Sequence, residues 1–216
     1  MEVTLIRYTQ DADQLAGEAA ALCYKGKNPE RSLDIALGGG HESVTEHASF
    51  TFLIEGVSRV LLAQITRHRL ASFSVESQRY CGANMETGTP DSMIRPELVD
   101  DIVHAKKVVQ RLYDKCISLG VPAEDARYYT FQAGVTREMV TMNARELRHF
   151  FSLRCCNRAQ WEIRELANKM LKLCKDVSPV LFADAGPGCV RGHCTEGEKS
   201  CKKGKADGKV QELARN

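Results

Sequence analysis

The order of apolar and polar positions divides the chain into short segments of two different periods. Residues 2–8 (Glu-Val-Thr-Leu-Ile-Arg-Tyr) alternate polar and apolar, which predicts a strand. Asp11 with Gln14 three residues on forms a capping-box pattern and opens a helix that runs to about Cys23. A second helix is predicted from Pro29 to the Gly38-Gly39-Gly40 run. Ala48 to Gly56 reads as another strand, after which Ser58 caps a helix striped by Leu61, Leu62 and Ile65. Between Glu97 and Leu119, Ile102, Val109, Leu112 and Cys116 recur at helical spacing, and Gly120 ends the run. Thr130 to Met142, rich in β-branched and aromatic residues, contains a strand. Asn143 with Glu146, and Asn157 with Gln160, repeat the capping pattern. Ser178-Pro179 sets a cap before a proline at a first helical position.

Strands do not alternate regularly with helices. The predicted class is therefore α+β, an antiparallel or mixed sheet with packed helices in a single domain, rather than a doubly wound Rossmann sheet. No Gly-x-Gly-x-x-Gly and no Walker-type lysine loop occurs, so the usual nucleotide cradles are missing. After Ala185 the chain turns rich in Gly and Lys and poor in large apolar residues. The expected organisation is a body over residues 1–185 and a tail over 186–216.

Composition narrows the function classes. With 43% hydrophobic residues the 216-residue chain can build a real core. No apolar run approaches the roughly 20 residues that cross a bilayer, so no membrane partner is expected. The N-terminal residues lack the pattern of a secretory signal, and a cytoplasmic location follows as the expectation. A net charge of +2 gives no bulk reason for nucleic-acid binding. The nine cysteines are expected to be reduced thiols. No Cys-x-x-Cys pair occurs, and adjacent Cys155-Cys156 suit neither a zinc knuckle nor a redox motif. Cys23, Cys116 and Cys174 read as inert buried thiols. In the tail, Cys189, His193, Cys194 and Cys201 are zinc-type donors at irregular spacing in a segment whose composition suits a mobile tail equally well, and no metal site is assigned.

Candidate chemistry concentrates in Arg67-His68-Arg69-Leu70-Ala71-Ser72-Phe73-Ser74-Val75-Glu76-Ser77-Gln78-Arg79-Tyr80. Three successive cationic groups cannot share one face of a helix or a strand. Two readings stay open on the residues alone: a basic helix C-terminus followed by a solvated loop, or a site for a phosphate-bearing ligand held by arginine forks. Within the second, a non-catalytic nucleotide- or RNA-binding module is the alternative to an enzyme. An aromatic content of 6% and the lack of a basic stripe weigh against it. Further on, Leu147, Phe151 and Arg154 fall at i, i+4 and i+7. That places Arg154 on an apolar helical row, where it needs a structural carboxylate or a ligand.

Arg67-His68-Arg69, seven residues and then Ser77 resembles the signature of the flavin-dependent thymidylate synthases, and Ser77-Gln78-Arg79-Tyr80 resembles the end of that signature. Gly40-His41-Glu42-Ser43 through Glu46-His47 is similar to a second family element. Asn143-Ala144-Arg145-Glu146-Leu147-Arg148-His149-Phe150 with Leu153-Arg154, and Ala159-Gln160-Trp161-Glu162-Ile163, are similar to two more. One departure is that Ser74-Val75 stand where many members carry Asn-Glu. The resemblance covers about residues 1–185, which it makes an FAD- and dUMP-binding catalytic domain. It implies reductive methylation of dUMP to dTMP. Methylene-tetrahydrofolate is the implied carbon donor, and reduced FAD, recycled by NADPH or NADH, the implied hydride donor. It implies a homotetramer with active sites shared between subunits. FAD contacts are implied for His41, Ser43, Arg67, His68, Arg69, Asn143 and His149. Contacts to dUMP are implied for Gln64, Arg67, Ser77, Gln78, Arg79, Arg127 and Arg154, with Arg79 and Arg127 on its phosphate. Arg154 would polarise the uracil, and Ser77, lacking an evident base, would orient it.

Overall fold

The computed structural model describes residues 1–83, 86–192 and 194–201. Its elements are β1 (Glu2–Tyr8), α1 (Ala12–Tyr24), α2 (Pro29–Gly38), a 3-10 segment (Glu42–His47), β2 (Ser49–Ser58), α3 (Arg59–Ile65), β3 (Ala71–Val75), α4 (Pro96–Ser118), α5 (Ala123–Ala126), β4 (Val135–Asn143), α6 (Ala144–Arg154) and α7 (Trp161–Val177). The strands form one four-stranded antiparallel sheet in the order β1-β2-β4-β3. The class is α+β, as the irregular succession of periods predicts.

Local chemistry explains most element boundaries. Asn28 caps α2 through the Arg31 amide at 3.0 Å, with Pro29 at the first helical position. Ser58 accepts from the Leu61 amide at 3.1 Å and starts α3. Asn143 accepts from the Glu146 amide at 2.9 Å and starts α6. Three expectations need correction. Asp11 precedes α1 in the left-handed region (φ 49) without a side-chain cap, and Gln14 bonds Glu18 instead. The cap of α7 is Gln160, whose side chain accepts from the Glu162 and Ile163 amides, not Asn157. Ser178-Pro179 opens a turn, closed by the Phe182 amide on the Ser178 carbonyl, not a helix. Strand β3 was hidden from the pattern because it lies at the sheet edge. Its exposed positions are Ser72 and Ser74, which read as loop.

The chain divides into two compact units, and all four strands contribute to both, β1 through Glu2 alone to the first. The first contains Met1–Glu2, Ile54–Arg67 and Phe73–Met139. Its core holds Ile54, Val57, Leu61 and Ile65, with Tyr113 as the one residue of α4 that is buried. The second contains Val3–Leu53, His68–Ser72 and the chain from Val140 onward. Phe50, Phe151 and Phe182 pack edge-on there, with centroids 5.3 and 6.0 Å apart, beside Phe150, Leu147, Leu166 and Met170. Each such side chain contributes about 1.5–3 kcal/mol by leaving water. Helix α1 approaches the start of α2 so closely that a Cβ on Gly17 would lie 2.9 Å from the Pro29 carbonyl oxygen, so glycine is required there. No helix among the described residues is long and apolar enough to cross a membrane.

Candidate active site

In the second unit, α6 carries the chemistry. Its inner face buries Leu147, Phe150 and Phe151, while Arg145 and His149 are exposed on the outside, Arg145 paired with Glu46. His68 enters from the segment before β3 and is only 4% exposed. Its Nδ1 lies 3.0 Å from Glu146 Oε1, and its Nε2 lies 3.1 Å from Arg154 Nε. A guanidinium only donates, so Nε2 must be the bare nitrogen and Nδ1 must carry the proton it gives to Glu146. Burial lowers the His68 pKa; the hydrogen bond it donates to Glu146 opposes that, and the charge of Arg154 reinforces it. The ring is therefore a neutral spacer that fixes the Arg154 head. Burial also lowers the Arg154 pKa from its ordinary value.

Arg154, on the apolar row, thus has the His68 imidazole as a partner. Phe150 packs edge-on to His68 at 4.9 Å, and the exposed His149 ring lies edge-on at 5.9 Å. One donor each from His68, Glu146 and His149 falls within 4.8 Å, but hydrogen bonds to Glu146 and Arg154 engage both nitrogens of His68. Glu146 was read from the sequence only as a capping partner. Its second role depends on a residue 78 positions away.

Around the same helix, Arg148 is 1% exposed and reaches Glu42 at 3.0 Å and Asp184 at 2.6 Å. Arg191 joins Glu42 at 3.3 Å. The glutamate of the Gly-His-Glu-Ser element is therefore part of a salt-bridge network, while its neighbours His41 and Ser43 are exposed. Arg69 is exposed as well, and Asn143 is half-buried at the start of α6.

The first unit holds Gln64, Arg67, Ser77, Gln78, Arg79 and Arg127. Ser77 Oγ accepts from the Arg79 amide at 3.2 Å, which uses an acceptor position and leaves its proton to donate outward. Arg79 bonds Glu124 at 2.7 Å and lies over the Tyr80 ring. Arg127 Nε reaches the Glu124 carbonyl at 3.1 Å, and burial, then the charge of Arg127, lowers the pKa of Arg59. Arg59 and Glu124 were not singled out in the sequence; the start of α3 and helix α5 set them beside residues that were. Glu76 bonds Arg137 at 2.7 Å, so the carboxylate one position beyond Ser74-Val75 is held by the neighbouring strand. Gln64 and Gln78 are half-buried, and Arg67 is exposed.

The same unit buries Glu138, 2% exposed, with neither carboxylate oxygen hydrogen-bonded. Desolvation raises its pKa to about 7. A carboxyl raised on folding adds stability below its unfolded pKa, and that stability is lost as pH rises towards 7. Glu138→Gln is therefore expected to flatten the decline between pH 5 and 8, on the order of 2 kcal/mol. Urea unfolding at the two pH values checks this; equal declines in both proteins would show Glu138 to be solvated.

The chain is an α+β protein that holds one arginine against a buried His–Glu pair in one unit and carries an arginine cluster beside a serine turn in the other. The model of the thymidylate synthase complementing protein family matches residues 4–180. A flavin-dependent thymidylate synthase of Geobacter sulfurreducens is 44% identical over 219 residues, 94% of each chain. One of Pyrococcus furiosus is 42% identical over 220 residues, 91% of this chain and 90% of the relative. The chain belongs to the flavin-dependent thymidylate synthase family. The fold is also similar to a UMP/dUMP methylase of Streptomyces cacaoi bound with 5-Br dUMP (TM-score 0.74, 23% identity, 84% of this chain and 93% of that one). A Helicobacter pylori flavin-dependent thymidylate synthase complexed with FAD and dUMP is similar too (TM-score 0.69, 22% identity, 86% and 100%).

The site also bears on the thiols. Cys174 is buried and its pKa is raised by desolvation, but Cys116 is half-buried and Cys23 exposed. The reading of all three as core thiols is corrected. Cys23 lies on the outer side of α1, near its end, where the stripe has passed.

Proposed function

We propose that this chain converts dUMP to dTMP, taking carbon from methylene-tetrahydrofolate. The observation that carries the reading is the Arg154–His68–Glu146 chain, because it holds a guanidinium in one orientation. A fixed planar donor of this kind suits the carbonyl edge of a uracil and stabilises negative charge developing on the ring. FAD, when bound and reduced by NADPH or NADH, supplies the hydride. His41, Ser43, Arg67, Arg69, Asn143 and His149 would hold it; exposed guanidinium, hydroxyl and imidazole donors fit a diphosphate and a flavin edge. His68 serves that site through the two side chains it positions, Arg154 and His149.

Gln64, Arg67, Ser77 and Gln78 would orient the nucleotide, with Arg79 and Arg127 on its phosphate. A phosphate would displace the half-exposed Glu124 carboxylate from Arg79, a contact that solvent screening already keeps weak. Ser77 donates to dUMP rather than attacking it. We also read the protein as a cytoplasmic homotetramer that takes neither nucleic acid nor membrane as partner. Helix α4 supports the assembly, since Val99, Val103, Val108, Leu112 and Ile117 are each at least 40% exposed. Sedimentation showing a monomer that turns over would remove it.

The test is direct. The purified protein should show flavin absorbance and form dTMP from dUMP and methylene-tetrahydrofolate once the flavin is reduced. A colourless preparation that takes up no FAD and forms no dTMP would leave the reading without support.

A further inference from the structure

The tail after Ala185 presents a puzzle of stability. Residues 186–201 fold into two 3-10 turns, Gly188–Arg191 and Gly197–Lys199, yet beyond Gly186 none of their described residues is buried. Ordering a backbone loses roughly 1–2 kcal/mol per residue, and a segment without a core does not recover that from apolar contact. Small folded segments of this kind are commonly held by a cross-link or a metal ion.

Four sulfurs meet this need. Cys189, Cys194 and Cys201 of the tail line one small cavity, of about 60 Å³, together with Cys156 from the turn that follows α6. Ser152, Asn157, Glu196 and Ser200 complete its wall. The adjacent pair divides its work: Cys155 is buried, while Cys156 lines the cavity. Thiolates gathered around one cavity repel one another unless a cation sits among them.

Hydrogen-bond donors already point at these sulfurs. The Arg158 amide lies 3.5 Å from Cys156 Sγ, and Asn157 Nδ2 lies 3.7 Å from Cys201 Sγ. N–H donors to sulfur favour the thiolate and orient it, the supporting role that outer partners play around metal ligands. None of the nine cysteines is in a disulfide.

We propose that Cys156, Cys189, Cys194 and Cys201 form a tetrahedral thiolate site for one zinc ion. The ligand type selects a thiophilic metal, and four thiolates suit zinc or an iron–sulfur cluster. The proposal commits to zinc, and metal analysis distinguishes it from an iron–sulfur cluster. No three of the sulfurs lie within 4.8 Å of one another, so binding draws the exposed turns inward until each sulfur is roughly 2.3 Å from the ion. The ion exchanges four thiol protons to solvent for its bonds and needs no oxidant. His193 lies outside the described residues. The role is structural: the ion ties the end of α6, two residues past Arg154, to the tail. Spacing alone assigned no metal to the tail, since it could not show the arrival of Cys156.

The experiment is metal analysis of the full-length protein purified under reducing conditions, with Zn²⁺ and Co²⁺ as probes. Roughly one zinc per chain is expected, released when a mercurial blocks the thiols. Substitution with Co²⁺ should give the intense visible bands of tetrahedral thiolate cobalt. Cys156→Ser and Cys201→Ser should each weaken Zn²⁺ retention against a chelator more than tenfold. The combined Cys189→Ser/Cys194→Ser variant should abolish it, and Cys23→Ser should retain it in full. Iron with acid-labile sulfide, two intact disulfides, equal zinc in the combined variant, or no uptake of Zn²⁺ and Co²⁺ by the reduced native chain would each overturn the proposal. None of these readings depends on turnover, so failure here and failure of the catalytic reading are distinguishable.

Discussion

Arg154→Lys is expected to weaken dUMP binding by roughly ten- to a hundredfold and to lower methyl transfer with it, because it removes a charge-assisted contact of about 1.5–3 kcal/mol. The substitution keeps the positive charge, so a purely electrostatic role would survive it. What disappears is the planar fork and the Nε–H that now bonds His68 Nε2 at 3.1 Å. An ammonium on a flexible stem could take up either the imidazole or the ligand, but it would lose the geometry that serves both. FAD binding should persist, since the residues proposed to hold the flavin are others. Titration of dUMP into the flavin-loaded variant measures the effect. Native affinity and turnover would make Arg154 a structural arginine, satisfied inside the fold by His68.

Arg148→Met should destabilise the fold by about 3 kcal/mol, at the lower end of what breaking a buried ion pair costs. Arg148 sits on α6 beside the candidate site at 1% exposure, with forked contacts to Glu42 and Asp184. Methionine fills much of the stem's volume, so packing survives while two carboxylates lose Arg148 and keep the longer contacts to Arg191 at 3.3 and 3.7 Å. The lower end applies because Glu42 and Asp184 keep 25% and 49% of their side-chain surface in water and can rehydrate. Burial raises the Asp184 pKa, but the hydrogen bond and charge of Arg148 outweigh it and the net shift is downward. A carboxyl depressed in the folded state contributes stability above its unfolded pKa and loses it as pH falls through the folded value. The variant should therefore lose stability at neutral pH and show a shallower decline on acidification. Urea midpoints at pH 7 and pH 4 test both parts; an unchanged midpoint at pH 7 would show that the network contributes nothing net.

Both substitutions fall on one helix, and the sequence determined that helix by itself. Asn143 and Glu146 marked its start, and the apolar residues at Leu147 and Phe151 set its inner face. The strand signals over β1, β2 and β4 were likewise local, as were the proline that opens α2 and the cap at Ser58. The family elements were legible too, because each is a short run of residues. Tertiary structure alone decided what those residues touch. His68 meets Arg154 across 86 positions, Glu42 meets Arg148 across 106, and Cys156 shares a cavity with a tail that begins thirty residues later. The edge strand β3 and the buried Glu138 escaped for the same reason. Periodicity and capping report forces acting within one or two turns of the chain. Pairings between distant side chains are set by how helices and sheet pack, and no local pattern records them.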